Sequence, residues 1–317
     1  MTHTLVIDTS YGSTVGVVGL EPIVETDSRT HVERLQDNIA RAVSEAGLRP
    51  DQLDRIVVGV GPAPFTGLRA GIVAAKALAF ATGAQLLGQD ILGVQERMMR
   101  LWRKGDDSLR NCPFLEPAKT SADSPSTRHL TLAVNDARRR QLYFALYGDG
   151  TGEGTTTGDN VPLIAMDIDY PAHIAERVME ALGSLGEAPC LVDVVGHGAR
   201  KYAEAWQALG TNLGAVIDSS ALDAGGAGLR IFMDAALSSQ DGMEQGRHEV
   251  SGDDGDADDP VKAADSDMDE HEFAARAIKP NGPVEPLYLR RPDVSVPNPL
   301  KHVLNHDGAT KAAEARR

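Results

Sequence analysis

The first residues with useful chemistry sit at the end of a short apolar run. Asp8, Thr9 and Ser10 follow residues 4–7, and Tyr11-Gly12-Ser13 then leads into a second apolar run over 15–20. This reads as a strand, a turn and a strand, with a carboxylate and two hydroxyls at the tip. Such a tip suits a phosphate or a hydrated metal ion. The same side chains also suit a turn in which they hydrogen-bond the backbone, and the sequence alone favours that use. A second candidate is the loop Gly59-Val60-Gly61-Pro62-Ala63-Pro64-Phe65-Thr66-Gly67-Leu68-Arg69, between a strand and a helix. Helix starts attract anions because their first N–H groups have no intrahelical partner. Pro64 has no N–H to offer, which argues against a phosphate cradle here.

Other reactive types lack company. Ser10, Ser13 and Thr66 lie in no Gly-x-Ser-x-Gly elbow, so a serine hydrolase has little support. His31 opens a helix and His197 sits in a Gly-His-Gly turn; without a partnered nucleophile both read as structural. His302 and His306 have the spacing of a metal pair but sit in a proline-flanked tail with no third ligand nearby. Cys112 and Cys190 are too few for a disulfide scaffold, which suits a reducing, cytoplasmic setting. No apolar leader opens the chain, and the helix after Gly67 reads as too short and too charged to span a bilayer, so no membrane is expected.

The elements that must hold these residues follow a repeated order. After the hairpin and a third strand over 23–26, Val32, Leu35, Ile39, Val43 and Ala46 repeat at helical spacing, and Ile56-Val57-Val58 forms a buried strand feeding the Gly/Pro loop. The helix over 68–81 is Ala, Gly, Ile, Val, Leu and Phe apart from Arg69, Lys76 and little else. A helix apolar all round needs cover on both faces, and one cover can be another protein. A short strand at Leu86-Leu87 and a helix over 91–102 complete a first domain, 1–103. Residues 104–128 read as an exposed connection. A second hairpin (130–134 and 141–147), an apolar run over 161–165, a helix over 172–185, a strand over 191–195 and a helix over 199–209 repeat the first half in outline. A last helix over 228–237, free to pack on the first domain, closes a second domain over 129–237.

The remainder differs in kind. The chain of 317 residues has a net charge of −15, and 253–272 alone holds ten carboxylates against Lys262. Residues 238–277 are expected to be a disordered acidic insertion. A proline-rich tail over 278–317 is expected to lie extended across the body, anchored by Leu287, Tyr288 and Leu289. So acidic a body makes a poor nucleic-acid binder on its own.

Four patterns resemble the TsaB family of bacterial tRNA threonylcarbamoyladenosine biosynthesis subunits, also described as glycoprotease-like. They are Ile7-Asp8-Thr9-Ser10, Gly61-Pro62-x-x-Phe65-Thr66-Gly67-Leu68-Arg69, Asp136-Ala137-Arg138-Arg139 with Tyr143, and Pro286-Leu287-Tyr288-Leu289-Arg290. The resemblance spans 4–290 and leaves out the acidic insertion and the final tail. It departs from the usual Gly-Pro-Gly-Ser form at Ala63 and Pro64. It implies an α/β fold of two tandem ribonuclease-H-like domains of the actin/hexokinase superfamily. It further implies a non-catalytic subunit that supports a paralogous catalytic protein, TsaD, with the ATPase TsaE, in modifying tRNA beside the anticodon. No cofactor of its own is implied; ATP or ADP and a metal reach the complex through partner subunits, tRNA is met only through the complex, and a homodimer is expected when the partner is absent. The implied partner interface is Leu35, Ile39, Phe65, Arg69, Ala70, Val73, Ala74 and Ala77, and Asp8, Thr9 and Ser10 become a vestigial phosphate hairpin.

The catalytic paralogue carries a His-x-x-x-His pair after the same loop and helix, and aligning from Gly88 puts Ile91 and Gln95 at those positions. Two other classes stay open. An ATP-dependent phosphotransferase of the sugar-kinase type needs a second phosphate hairpin, and Asp136-Ala137-Arg138 lacks its glycine, with Gly225-Gly226 alone hinting at an adenosine site. A metallopeptidase needs a bound metal.

Overall fold

In the computed structural model, residues 2–27, 30–121, 127–148, 162–186, 189–248 and 284–289 are described. The first apolar runs become β1 (Thr4–Asp8), β2 (Ser13–Val17) and β3 (Ile23–Glu25), followed by helix α1 (Leu35–Glu45). β4 (Arg55–Gly61), α2 (Phe65–Thr82), β5 (Gln85–Asp90) and α3 (Ile91–Arg103) complete the first half. The sheet order is β3-β2-β1-β4-β5, antiparallel through the hairpins and parallel from β1 to β5. Runs of Val and Ile in β1 and β4 are buried on both faces, as central parallel strands require.

The second half repeats this topology. β6 (Arg128–Asp136), β7 (Leu142–Tyr147), β8 (Pro162–Asp169), α4 (Pro171–Gly183), β9 (Cys190–Val195), α5 (Ala203–Trp206) and β10 (Leu213–Ile217) lead to α6 (Gly226–His248). The sheet order β10-β9-β6-β7-β8, taken from its other edge, matches that of the first sheet strand for strand. The protein is therefore α/β, with two mixed five-stranded sheets.

Two helices lie between the sheets. One buried cluster takes Val6, Val57 and Leu87 from the first sheet, Ala133, Tyr143 and Val195 from the second, and Leu92, Met98, Leu229 and Phe232 from α3 and α6. The ends of this layer are tied by charge. Arg103, the last residue of α3, donates to Asp193 Oδ2 at 2.7 Å, to Thr131 Oγ1 at 3.0 Å and to the Leu130 carbonyl at 3.2 Å. Burial alone would raise the Asp193 carboxyl; His129 and Arg103 beside it hold it below its ordinary value instead.

Several expectations are corrected. The exposed connection over 104–128 is in part core: 3-10 turns at Asp107–Leu109 and Pro113–Ser121 bury Leu109, Cys112, Leu115 and Ala118. The single helix over 199–209 is instead α5 flanked by 3-10 turns, because Trp206 Nε1 turns back to donate to the Ala199 carbonyl at 2.7 Å. β10 had no counterpart in the sequence reading. It forms because Gly214 leaves room for the Asp193 carboxylate, which accepts the Ala215 N–H at 2.8 Å; a Cβ at 214 would meet Asp193 Oδ1 at 2.4 Å.

Residues 238–248 continue α6 as helix where disorder was expected. Its first turns are pinned by Leu229, Phe232 and Ala236, and each further residue then adds a hydrogen bond at low cost. The rest of the acidic stretch, 249–277, and the His302/His306 pair lie outside the described residues.

Replacing Arg103 by Leu leaves the buried Asp193 carboxylate without its cation, and stability is expected to fall by roughly 3–5 kcal/mol. Adding Asp193→Asn to that variant is expected to recover part of the loss, read by denaturant titration of both.

Candidate functional site

The turn after β1 closes on itself. Asp8 is buried, accepting Ser10 Oγ–H at 2.8 Å on Oδ1 and the Ser10 N–H at 3.1 Å on Oδ2. Burial pushes its carboxyl above the ordinary value, and the two Ser10 hydrogen bonds pull part of the way back. β4 makes room for it: a Cβ at Gly59 would meet Asp8 Oδ1 at 1.9 Å. Gly71 does the same for Thr9, whose Oγ1 would lie 2.5 Å from a Cβ there, so α2 seats flush on the turn. Asp8 and Ser10 thus hydrogen-bond within the turn, while the buried Thr9 Oγ1 has no partner among the described residues.

The Gly/Pro loop is held from the second half. Asn135 Nδ2 donates to the Ser10 carbonyl at 3.3 Å and to the Pro62 carbonyl at 3.1 Å, and Tyr143 Oη donates to the Ala63 carbonyl at 3.2 Å. At the mouth, the Tyr11 ring stacks on His197 at 3.9 Å, and His197 Nε2 lies 2.9 Å from Asp223 Oδ2. Between the loops is a cavity of about 360 Å³ whose lining includes Ser10, His31, Phe65, Thr66 and Arg138. A volume of that order admits a small ligand. The carbonyls of Pro62 and Ala63, however, are turned toward Asn135 and Tyr143, so the loop acts as a clamp between the halves.

The tip of the second hairpin is strained. Arg138, Arg139 and Arg140 have φ of 63°, 51° and 65°, the left-handed region. Each such residue other than glycine costs on the order of 1–2 kcal/mol. Asp136 fixes the tip, accepting the Arg138 N–H at 2.8 Å and Lys201 Nζ at 2.9 Å.

On the far side of the loop, α2 divides into two faces. Leu68, Ile72, Ala75 and Ala79 enter the first sheet's core. Arg69, Val73, Lys76, Ala77 and Phe80 point outward, with Val73 65% and Phe80 94% exposed. A strap, residues 284–289, crosses the N-terminal half of the outward face. Leu287 N–H donates to the Val60 carbonyl at 2.8 Å, Tyr288 stacks on Phe65 at 4.7 Å, and Arg69 lies over Phe65 at 3.7 Å while donating to Tyr288 Oη.

Comparison with known proteins bears on this half in particular. Residues 13–101 match the family model described as TsaD: tRNA N6-adenosine threonylcarbamoyltransferase. Uncharacterized protein Rv3421c of Mycobacterium tuberculosis (strain ATCC 25618 / H37Rv) is 34% identical over 197 residues, 59% of this chain and 77% of its own length. The chain belongs to the same family as Rv3421c. The tRNA N6-adenosine threonylcarbamoyltransferase of Dinoroseobacter shibae is 40% identical over 79 residues, 25% of this chain and 22% of that protein. Among solved structures, YeaZ from Pseudomonas aeruginosa aligns with a TM-score of 0.46 and 20% identity, over 78% of this chain and 94% of that one.

Within this family's chain, the interface residues expected from sequence separate into three groups. Leu35, Ile39 and Ala74 are buried in the first sheet's own core, so they are corrected: a partner reaches them only if the domain opens. Phe65 and Arg69 are engaged by the chain's own Tyr288. Val73 and Ala77 are exposed and Ala70 is half-buried. Phe80, absent from the expected set, is the most exposed large apolar side chain among the described residues. Its signal was its spacing: it stands on the face marked by Arg69 and Lys76. By length and composition α2 is also long and apolar enough to cross a membrane, contrary to the sequence reading, although one of its faces is core.

Two predictions follow from the strained and buried groups here. The unfolded chain releases the Asp8 proton near its ordinary value of 3.8 and the folded chain only at higher pH. Wild-type stability should therefore fall, relative to Asp8→Asn, as pH rises from about 3.8 through the folded value, and the difference should then level off. Asp90, raised by burial in the same way, cancels in this comparison. Arg140→Gly is expected to raise stability by about 0.5–1 kcal/mol, relief of strain exceeding the added chain entropy, as read from thermal unfolding.

Proposed function

We propose that this chain is a non-catalytic subunit that binds a paralogous tRNA N6-adenosine threonylcarbamoyltransferase and supports its modification of tRNA in the cytoplasm. The reading takes the two halves as ribonuclease-H-like domains of the actin/hexokinase superfamily, with partners of the TsaD and TsaE kind. The observation that carries it is the outward stripe Val73, Ala77 and Phe80 on α2, within the segment that matches the transferase family. Apolar side chains repeated on one exposed helix face are suited to another helix surface. Two transferase-like domains built on the same plan would offer such surfaces to one another, and a second copy of this chain would do so when the transferase is absent.

A supporting role fits the first turn of α3. Ile91 and Gln95 occupy the positions where the catalytic paralogue is expected to carry a histidine pair, and both are fully enclosed in the layer between the sheets. Asp8 is engaged by Ser10 within its own turn, and the carbonyls of the Gly/Pro loop are taken by Asn135 and Tyr143 from the second half. Any nucleotide and metal would then belong to partner subunits.

Phe80→Asp is the test. The side chain is solvent-exposed, so the thermal midpoint should stay within a degree or two. Co-elution with the transferase from the same cell should be lost, because a carboxylate would face an apolar contact. Unchanged co-elution would remove α2 from the interface, and no binding by the wild-type chain at micromolar concentrations would remove the subunit reading itself.

A further inference from the structure

The tip of the second hairpin has no part in the reading above. In a chain of net charge −15, Arg138, Arg139 and Arg140 are consecutive and exposed. Arg200 and Lys201 stand exposed on the adjoining 3-10 turn, joined to the tip through the Lys201 to Asp136 ion pair at 2.9 Å. The backbone beneath is fixed. Besides the Asp136 bond to the Arg138 N–H, Ala137 N–H donates to the Gln141 carbonyl at 3.1 Å and Gln141 N–H to the Arg138 carbonyl at 3.0 Å. Among the described residues, neither the Arg138 nor the Arg140 guanidinium has a side-chain hydrogen bond or ion pair. Left-handed backbone at three successive arginines is kept against its cost, and such strain concentrates at sites of use.

We propose that residues 138–140, backed by Arg200 and Lys201, form a contact for the phosphate backbone of RNA. On the subunit reading above, on which the identity of the RNA rests, that RNA is the tRNA of the transferase complex. Guanidinium forks match phosphate oxygens in shape and charge. The cations are spread over a hairpin tip and a neighbouring 3-10 turn, which suits a row of phosphates better than one small anion held in a pocket. An acidic protein surface fits less well: the apolar residues at the tip, Ala137 and Leu142, are buried, and protein interfaces need an apolar centre. The acidic body beyond the tip would repel RNA, so the contact adds to binding held mainly by the partner.

The test is tRNA binding across a salt series by the purified complex of this chain with the transferase. Arg138→Gln/Arg140→Gln is expected to weaken binding about tenfold at low salt and to lower the slope of log K against log salt by about 1–2, whereas Arg138→Lys/Arg140→Lys keeps the slope. Arg49→Gln/Arg110→Gln, which removes two exposed, carboxylate-paired arginines outside the tip, controls for net charge. An Arg138→Gln/Arg140→Gln complex that co-elutes normally and binds tRNA with unchanged affinity and slope overturns the proposal. Loss of co-elution in that variant also overturns it, by assigning the tip to the protein partner. If the wild-type chain and the transferase do not co-elute at all, the subunit reading falls on its own, and the same titration on this chain alone decides: salt-sensitive tRNA binding that the glutamines abolish supports the tip, and its absence in wild type overturns it.

Discussion

Neither sheet of this protein has a complete core without the layer between them. α3 and α6 present Leu92, Met98, Leu229 and Phe232 to both halves at once, so the inner faces of the two sheets are buried by the same side chains. Dense interiors transmit small displacements and do not absorb them. The halves consequently hold a fixed relative position, and everything at the top of the molecule depends on it. The Arg103 contacts at the foot of β6 and β9 anchor the far end of α3. Asp193 serves two elements, taking Arg103 on one oxygen and the Ala215 N–H of β10 on the other.

That fixed position explains the cleft. Two hairpins of like topology face each other there. Here the second hairpin addresses the first half of the protein: Asn135 and Tyr143 take three carbonyls from the Ser10 turn and the Pro62-Ala63 loop. Tyr11 and His197 then add a stacked contact between the halves. The space that remains is bordered by Arg138 and by the start of α2, where Pro64 occupies the N-cap position without an N–H. Three backbone carbonyls at the edge of the cleft are thus engaged in joining the halves.

How much of this could be read beforehand follows from period and phase. β1 and β4 were legible because unbroken Val and Ile runs between polar turns admit few alternatives, and α1 because its apolar residues keep one helical face. The buried part of 104–121 was hidden by its polar composition, yet Leu109, Cys112, Leu115 and Ala118 recur every third residue, the spacing that puts one face of a 3-10 turn inward. α2 posed the opposite difficulty. A helix of almost uniformly apolar residues has no phase of its own, and only Arg69 and Lys76, seven apart, mark the outward side. Reading those two charges as markers places Val73, Ala77 and Phe80 outside and Ala74 inside. The Asn135 and Tyr143 contacts were not legible, since they join residues more than 70 positions apart through a packing that local pattern does not encode.

The strap gives the stripe on α2 its character. Arg69 and Lys76 would otherwise flank Val73 with two hydrated cations, and covering them with a partner would require stripping that water. Tyr288 takes the Arg69 guanidinium onto its hydroxyl, with the Phe65 ring against the guanidinium plane, and Glu285 approaches Lys76 at 4.0 Å. The same segment is tied to the end of β4 by the Leu287 to Val60 hydrogen bond. One short piece of chain, distant in sequence, thereby partners both charges on the face and leaves Val73, Ala77 and Phe80 exposed. An apolar helix face bounded in this way has a defined length and direction.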